Sequence, residues 1–168
     1  MGPAQWGPVH RPRGLTRSAS TRLFSLGAFP IPVFHEQIPV VMHTLTINGV
    51  GTCEVEEGTR LVRALEDCGV DVGHRCGGES KCTTCRVEFE EGEPHVMTEA
   101  EYDKLTDIGQ YGAMRLSCQV VVDRDMTVTP LMTVEEQGWD DAGPEPAIMV
   151  EPEAEWHPIE ALEQREES

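Results

Sequence analysis

Hydrophobic and polar residues alternate over two short stretches, residues 43–48 and 52–56. Such alternation predicts two strands that each bury one face. Asn48 and Gly49 lie between them, and this pair is typical of a tight hairpin whose two turn residues have positive φ. The pattern therefore predicts a β-hairpin over residues 43–56.

A short helix is predicted directly after the hairpin. Four apolar residues recur at the spacing of one helix face, and they are Leu61, Val62, Leu65 and Cys68. Thr59 stands where an N-cap residue is expected, and Gly69 stands where a helix commonly ends in the left-handed conformation. We expect the apolar face of this helix to lie in the core.

Four more elements are predicted further along the chain. Residues 86–90 alternate as a strand does. Thr98 and Glu101 form a capping box, so a second helix is expected to begin there and to end near residue 108. The last two are strands, at residues 118–122 and 126–131. This order of strands and helices predicts an α+β fold with a mixed sheet.

Charge divides the chain, which carries −17 in total, into three zones. Residues 1–41 carry +3, residues 42–133 carry −9 and residues 134–168 carry −11. The first zone is rich in Arg and Ser and poor in acids, so we interpret it as a disordered leader or a mitochondrial transit peptide. The middle zone is predicted to be the folded domain.

The acidic tail, residues 134–168, is predicted to be mostly disordered. It holds four prolines, and it buries too little apolar surface to offset the entropy of an ordered chain. Two short pieces of it could dock on the domain, residues 147–150 and 159–162. The functional alternative to a mobile tail is an arm that binds a partner or inhibits the domain.

The excess of acidic residues also limits the choice of partner. Phosphate contacts need clustered Lys and Arg, so nucleic acid is not an expected ligand, whereas a basic protein surface is. No apolar run reaches the roughly 18 residues that a membrane helix needs. We expect a cytoplasmic monomer, or a mitochondrial matrix protein if residues 1–41 are a transit peptide.

The sequence carries its chemistry in six cysteines. Four of them have the spacing C-x5-C-x2-C-x32-C, and they are Cys76, Cys82, Cys85 and Cys118. Thiolates are soft anionic donors that suit iron, and an iron–sulfur cluster commonly takes three ligands from one loop and a distant fourth. Gly77 and Gly78 allow the loop to curl, so that its N–H groups can face the cluster sulfurs.

Other interpretations of the cysteines are weaker. A structural zinc site usually has two separated C-x2-C pairs, and a disulfide framework suits small secreted chains. A thioredoxin-like C-x-x-C opens a helix, whereas Cys82–Cys85 ends a loop before a strand, and a Rieske centre needs His ligands. Cys53 and Cys68 lie on inward faces and are expected to be free core residues. His74 is expected to face solvent.

Two segments resemble the cluster motifs of [2Fe–2S] ferredoxins. His74 to Cys85 reads HRCGGESKCTTC, and Arg115 to Gln119 reads RLSCQ. The spacing of five residues between the first two cysteines is similar to that of the adrenodoxin and putidaredoxin branch. The interval of 32 residues before the fourth cysteine is shorter than in adrenodoxin. The resemblance covers residues 43–132. It implies a β-grasp fold, a [2Fe–2S] cluster on the four cysteines, and a cluster loop whose backbone includes Gly77, Gly78, Lys81 and Thr83.

The same resemblance implies a one-electron carrier. Its donor would be a flavoprotein ferredoxin reductase, and its acceptor a cytochrome P450, another oxygenase or the Fe–S assembly machinery. The second helix resembles adrenodoxin's acidic recognition helix, although Lys104 departs from that pattern. The implied docking residues are Glu99, Glu101, Asp103 and Asp107.

No motif for binding a nucleotide or flavin is present, so we do not expect an enzyme. The alternative hypothesis is a cluster-bearing regulator or assembly factor that acts through the acidic tail.

Overall fold

The computed structural model describes residues 39–166, so the predicted leader, residues 1–41, lies almost wholly outside the described residues. The elements in chain order are β1 (Met42–Ile47), β2 (Gly51–Glu56), α1 (Leu61–Asp67), β3 (Arg86–Glu91), β4 (Val96–Thr98), α2 (Glu99–Asp107), β5 (Arg115–Leu116), β6 (Met126–Pro130), α3 (Val134–Gln137), β7 (Trp156–Pro158) and α4 (Ile159–Glu166).

Five strands form one mixed sheet in the order β2-β1-β6-β3-β5. β1 and β6 run parallel, with Leu45 opposite Met126, and the other neighbours run antiparallel. β4 and β7 form a separate antiparallel pair. The predicted α+β class with a mixed sheet is confirmed.

The core joins α1 to the central strands. Leu61 and Leu65 of α1 are fully buried, and they belong to the same apolar cluster as Leu45 and Val128 of the sheet. Gly69 follows the helix with φ +86°, as predicted. The N-cap residue is Arg60 and not Thr59, because the Thr59 carbonyl accepts a hydrogen bond from Val122 and its N–H donates to Glu56 in the preceding turn.

The hairpin is confirmed, but its turn differs from the prediction. β1 and β2 are joined by three residues, and within Asn48-Gly49 only the glycine has a positive φ, +80°. The Asn48 side-chain amide instead donates hydrogen bonds to Glu90, at 2.6 Å, and to Thr129, at 2.8 Å. Asn48 therefore ties the turn to the neighbouring strands.

The predicted strand at residues 118–122 is wrong, because only Val121 makes a β-bridge there, an isolated one with Arg60. Residues Ser117–Gln119 form a single 3₁₀ turn. The Ser117 N–H and its hydroxyl each donate to the carbonyl of Cys85, both at 2.8 Å. These two bonds to a distant loop hold Cys118 in a turn, a constraint that local alternation does not reveal.

The prediction of a mostly disordered tail is wrong for residues 134–166. β7 pairs with β4 in the register Met97 to His157, and Leu162 of α4 is fully buried in the core cluster. Composition predicted disorder because the tail has few apolar residues, yet its partners lie on the folded domain. The two pieces expected to dock, residues 147–150 and 159–162, both contact it.

Cys53 and Cys68 form a disulfide, so the prediction of free core cysteines is wrong. Their Cα atoms are 6.1 Å apart, which lies within the range that a disulfide spans. The bond joins β2 to the end of α1. The sequence predicts free thiols because both residues are expected on inward faces, where free cysteine is common.

Among residues 39–166, no helix has the length and apolar character that crossing a membrane requires.

Candidate metal centre

The predicted cluster loop, residues 73–85, folds back on itself. Four of its residues have a positive φ, and they are Gly77, Gly78, Ser80 and Thr83. Two of these are not glycines, which is uncommon and marks a backbone held by its surroundings. When successive residues alternate between right-handed and left-handed backbone conformations, their N–H groups point to one side of the loop and can bind an anion.

The N–H groups of this loop are directed at sulfur. The Cys76 sulfur accepts hydrogen bonds from the backbone of Glu79, Lys81 and Cys82, and the Cys118 sulfur accepts one from Ser80. Burial raises the pKa of the Cys76 thiol, but these bonds and contact with the Cys82 thiol outweigh it and hold the pKa below its usual value. These bonds therefore favour the thiolate of Cys76, which is the form that binds metal.

The four thiols lie in two pairs. Cys76 contacts Cys82, which we call the outer pair, and Cys85 contacts Cys118, which we call the inner pair. The outer pair is half-buried, whereas the inner pair is at most 1% exposed. The pKa of Cys85 is raised, mainly by contact with Cys118 and also by burial. The pKa of Cys118 is lowered, because contact with Cys85 outweighs the effect of burial.

This pairing fits two metal ions better than one. In a tetrahedral zinc site with Zn–S bonds of 2.3 Å, all four sulfurs lie roughly 3.8 Å apart. Within the part of the chain that the structure describes, no three of the cysteine sulfurs lie within 4.8 Å of one another. Two thiols for each of two irons is the donor set of a [2Fe–2S] cluster, so the residues present fit that group.

The predicted loop residues have distinct roles. The Lys81 N–H donates to Cys76, while its side chain is exposed and pairs with Glu79. The Thr83 carbonyl and hydroxyl accept hydrogen bonds from Arg86, at 2.8 and 3.0 Å. Gly78 has no room for a side chain, because a Cβ there would lie 2.7 Å from the guanidinium of Arg60.

Part of the tail crosses the cluster loop, and we call residues 142–151 the strap. The carbonyl of Ala142 accepts from the His74 N–H at 2.8 Å, and the carbonyl of Glu151 accepts from the Gln119 side chain at 2.7 Å. The strap therefore spans from the residues before Cys76 to the residue after Cys118. The sequence predicts docking only for residues 147–150 of the strap, because most of its contacts are made by backbone carbonyls, which leave no pattern in the sequence.

His74 is not the solvent-facing residue that was predicted. It is 2% exposed, and its Nε2 lies 2.6 Å from Glu66 Oε1 on α1. The strap binds the His74 backbone and Glu66 binds its ring, which explains why a loop position is buried.

The four predicted docking acids do not share one surface. Glu101 is fully buried, and its carboxylate forms an ion pair with Arg115 at 2.9 Å and accepts from the Leu116 N–H at 2.6 Å. The prediction that Glu101 docks a partner is therefore wrong, because this side chain faces β5. Glu99 pairs with Arg165 of α4 at 2.6 Å, whereas Asp103 and Asp107 are exposed.

Comparison with known proteins agrees with this site. Residues 45–123 match the family model of a 2Fe-2S iron-sulfur cluster binding domain. One subunit of the Na(+)-translocating NADH-quinone reductase of Idiomarina loihiensis is 38% identical over 73 residues, which are 44% of this chain and 18% of that protein. The corresponding subunit of Methylococcus capsulatus is 37% identical over 82 residues, 49% of this chain and 20% of that protein. The chain thus spans about a fifth of the length of these relatives.

Two solved ferredoxins are also similar. The ISC-like [2Fe-2S] ferredoxin FdxB from Pseudomonas putida is 29% identical, with a TM-score of 0.42, over 55% of this chain and 95% of that one. Putidaredoxin from the same species is 21% identical, with a TM-score of 0.40, over 55% of this chain and 98% of that one.

The loop geometry and the family match together define the class of this domain. Residues 45–123 form a [2Fe–2S] ferredoxin-type domain, and the cofactor of this domain is a [2Fe–2S] cluster. A domain of this class carries electrons and does not itself catalyse substrate chemistry.

Proposed function

We propose that this protein is a one-electron carrier of the adrenodoxin and putidaredoxin type, and that its [2Fe–2S] cluster is held by Cys76, Cys82, Cys85 and Cys118. The observation that carries the proposal is the arrangement of the thiols in two pairs, with loop N–H groups bonded to Cys76 and Cys118. When bound, the cluster accepts and releases single electrons. The loop N–H groups directed at Cys76 and Cys118 would stabilise the negative charge that the cluster gains on reduction.

The ligand assignment is tested with cysteine variants. Cys76→Ser and Cys118→Ser should each lose the visible absorption of the cluster, because an iron site is left open. Cys53→Ala is the matched control, since its sulfur belongs to the disulfide, and it should retain the spectrum. A Cys118→Ser protein with an unchanged spectrum would show that another group is the ligand.

The carrier function is tested on the full chain. We expect one electron per cluster to be taken up reversibly from a flavoprotein ferredoxin reductase, and an electron paramagnetic resonance signal to form in proportion. We expect the reduced protein to pass that electron to an oxygenase, a cytochrome P450 or the Fe–S assembly machinery. A cluster that no such reductase reduces would refute the carrier function but leave the ligand assignment intact.

We propose that Asp103 and Asp107 form the charged part of the reductase docking surface. Both are exposed on α2, and exposed charges speed association in a way that salt weakens. The variant Asp103→Asn with Asp107→Asn should be reduced more slowly, and with less dependence on salt, than the wild type. Glu135→Gln on α3 is the control, because it removes an exposed acid elsewhere. Equal rates for all three proteins would place docking on another surface.

A second candidate function is that of a cluster-bearing regulator, and the strap favours it. A regulator needs a segment that responds to the state of the cluster, and the strap binds residues on both sides of the ligand set. Hydrogen exchange of residues 142–151 in the oxidised, reduced and cluster-free protein separates the two candidates. Release of the strap on reduction favours the regulator, and equal protection in the oxidised and reduced states favours the carrier. For the location of the protein, we propose the cytoplasm, or the mitochondrial matrix if residues 1–41 are a transit peptide.

A further inference from the structure

Arg60 lies at the start of α1 and is only 1% exposed, although it carries a charge. Its Nε and Nη2 donate to the carbonyl of Cys118, at 3.1 and 2.7 Å, and Nη2 also donates to that of Gly78, at 2.8 Å. Its Nη1 donates to the strap carbonyls of Ala147, at 2.7 Å, and Met149, at 2.8 Å. Every acceptor of this guanidinium is therefore a backbone carbonyl.

These carbonyls satisfy the hydrogen-bond donors of Arg60 but supply no negative charge. Within residues 39–166, no carboxylate forms an ion pair with Arg60, and the negative charges that act on it through space are those of Cys118, Cys85 and Glu151. Arg115 is the contrasting case, because it is equally buried and has the carboxylates of Glu101 and Glu93. A buried ion without an adjacent counter-charge is destabilised by the loss of its hydration, and Arg60 lacks a carboxylate partner of the kind that Arg115 has.

A bound cluster would supply the missing charge. Four thiolates and two sulfides around two ferric ions leave a dianion, and uptake of one electron adds one negative charge without breaking a bond. Arg60 donates to the carbonyl of the ligand Cys118 and to that of Gly78, which lies within the cluster loop. The strap covers the other side of the guanidinium, and exclusion of water strengthens the attraction between such charges.

We propose that Arg60 is the residue that sets the reduction potential, because its buried cation is the counter-charge of the cluster and stabilises the reduced state more than the oxidised state. This proposal rests on the proposed [2Fe–2S] site. Arg60 acts as a positioning residue, since it touches the backbone of the cluster segments and not the reacting atoms.

The experiment compares reduction potentials of full-length cluster-loaded proteins, measured by redox titration with visible circular dichroism. Arg60→Met removes the charge, and we expect the equilibrium constant for reduction to fall at least about tenfold, which is 59 mV for one electron. Arg60→Lys keeps the charge and should change the constant less than about threefold. The shift in Arg60→Met should persist in high salt, because buried charges are weakly screened.

Arg63→Met is the matched control. Arg63 also holds the strap, since it donates to the Pro146 carbonyl at 2.7 Å, but it is partly exposed and pairs with Glu145. It should change the equilibrium constant less than about threefold. An equal shift in Arg63→Met and Arg60→Met would overturn the proposal, because loosening of the strap would then explain both. A wild-type potential in cluster-loaded Arg60→Met would also overturn it.

The outcome stays decisive if Arg60→Met loses its cluster. Arg60→Lys with a cluster at the wild-type potential then supports the proposal, because charge is what the site requires. Loss of the cluster from Arg60→Lys as well, or a changed potential, overturns it, because the exact hydrogen bonds would then be the requirement. A wild-type protein that holds the cluster but is not reduced by a reductase would refute only the carrier function, since the potentials are read from the cluster itself.

Discussion

Replacement of Glu101 by Gln separates a structural role from a docking role on α2. The carboxylate is fully buried against Arg115, whose side chain is 4% exposed. Breaking a buried ion pair by removing one charge costs about 3–5 kcal/mol, because the other charge is left uncompensated. Gln keeps one oxygen for the Leu116 N–H, and Glu93 still faces Arg115 at 3.2 Å. We therefore expect the lower end of the range, about 3 kcal/mol.

A loss of that size should lower the melting temperature by about 6–12 °C for a chain of this length. The assay is thermal unfolding at a fixed scan rate, followed by far-ultraviolet circular dichroism and by the cluster absorption. Asp103→Asn is the control, because an exposed residue should change stability by no more than about 0.5 kcal/mol. Replacing both partners, Glu101→Leu with Arg115→Met, should be less harmful than Glu101→Gln, since no charge is stranded.

Two results would refute this reasoning. One is a Glu101→Gln protein that melts within about 2 °C of the wild type, which corresponds to less than about 1 kcal/mol. The other is a Glu101→Gln protein of normal stability whose reduction by a reductase is slower and less dependent on salt, which would return this residue to the docking surface.

Three further predictions concern the disulfide and the tail. Cys53→Ala should lower the free energy of unfolding in denaturant by about 3 kcal/mol, because the disulfide closes a loop of 15 residues. Reduction of the disulfide in the wild type should lower that free energy equally. Leu162→Ala should cost about 2–5 kcal/mol and speed proteolysis of the tail, whereas Ile148→Ala at an exposed site should do neither. Burial and the hydrogen bond to Glu163, at 2.9 Å, raise the pKa of Tyr111 to about 12. Difference absorption at 295 nm should therefore show a tyrosine that titrates at high pH, and Glu163→Gln should shift its pKa towards 10. Because the folded-state pKa is the higher one, Tyr111 contributes stability below pH 10 that is lost as the pH rises towards 12, and an unshifted tyrosine would contradict the contact.

The sequence predicted features that depend on near neighbours. The hairpin at Asn48-Gly49, the cap of α2 at Thr98 and the motif from Cys76 to Cys85 are each encoded within a dozen residues. Chemistry of this kind is visible in a sequence, because the residues that interact are adjacent or one turn apart.

Features that depend on distant partners could not be predicted in the same way. Glu101 resembles any acid in the first turn of a helix until β5 brings Arg115 to it. The tail carries few apolar residues, yet one of them, Leu162, reaches the core once β7 has paired with β4. The disulfide was missed for the same reason, because residues on two elements were each assigned to the core without being placed opposite each other.

The central position of β6 has a consequence for synthesis on the ribosome. β6 pairs with β1 on one side and β3 on the other, so two halves of the main sheet stay unjoined until it emerges. Roughly 80 residues separate β1 from β6. Because the ribosome adds about 5–20 residues per second, β6 is made about 4–16 s after β1. All four cluster cysteines are made within that interval. The nascent chain therefore presents its thiols before the sheet that supports them is complete, and its open strand edges are exposed to aggregation over the same seconds.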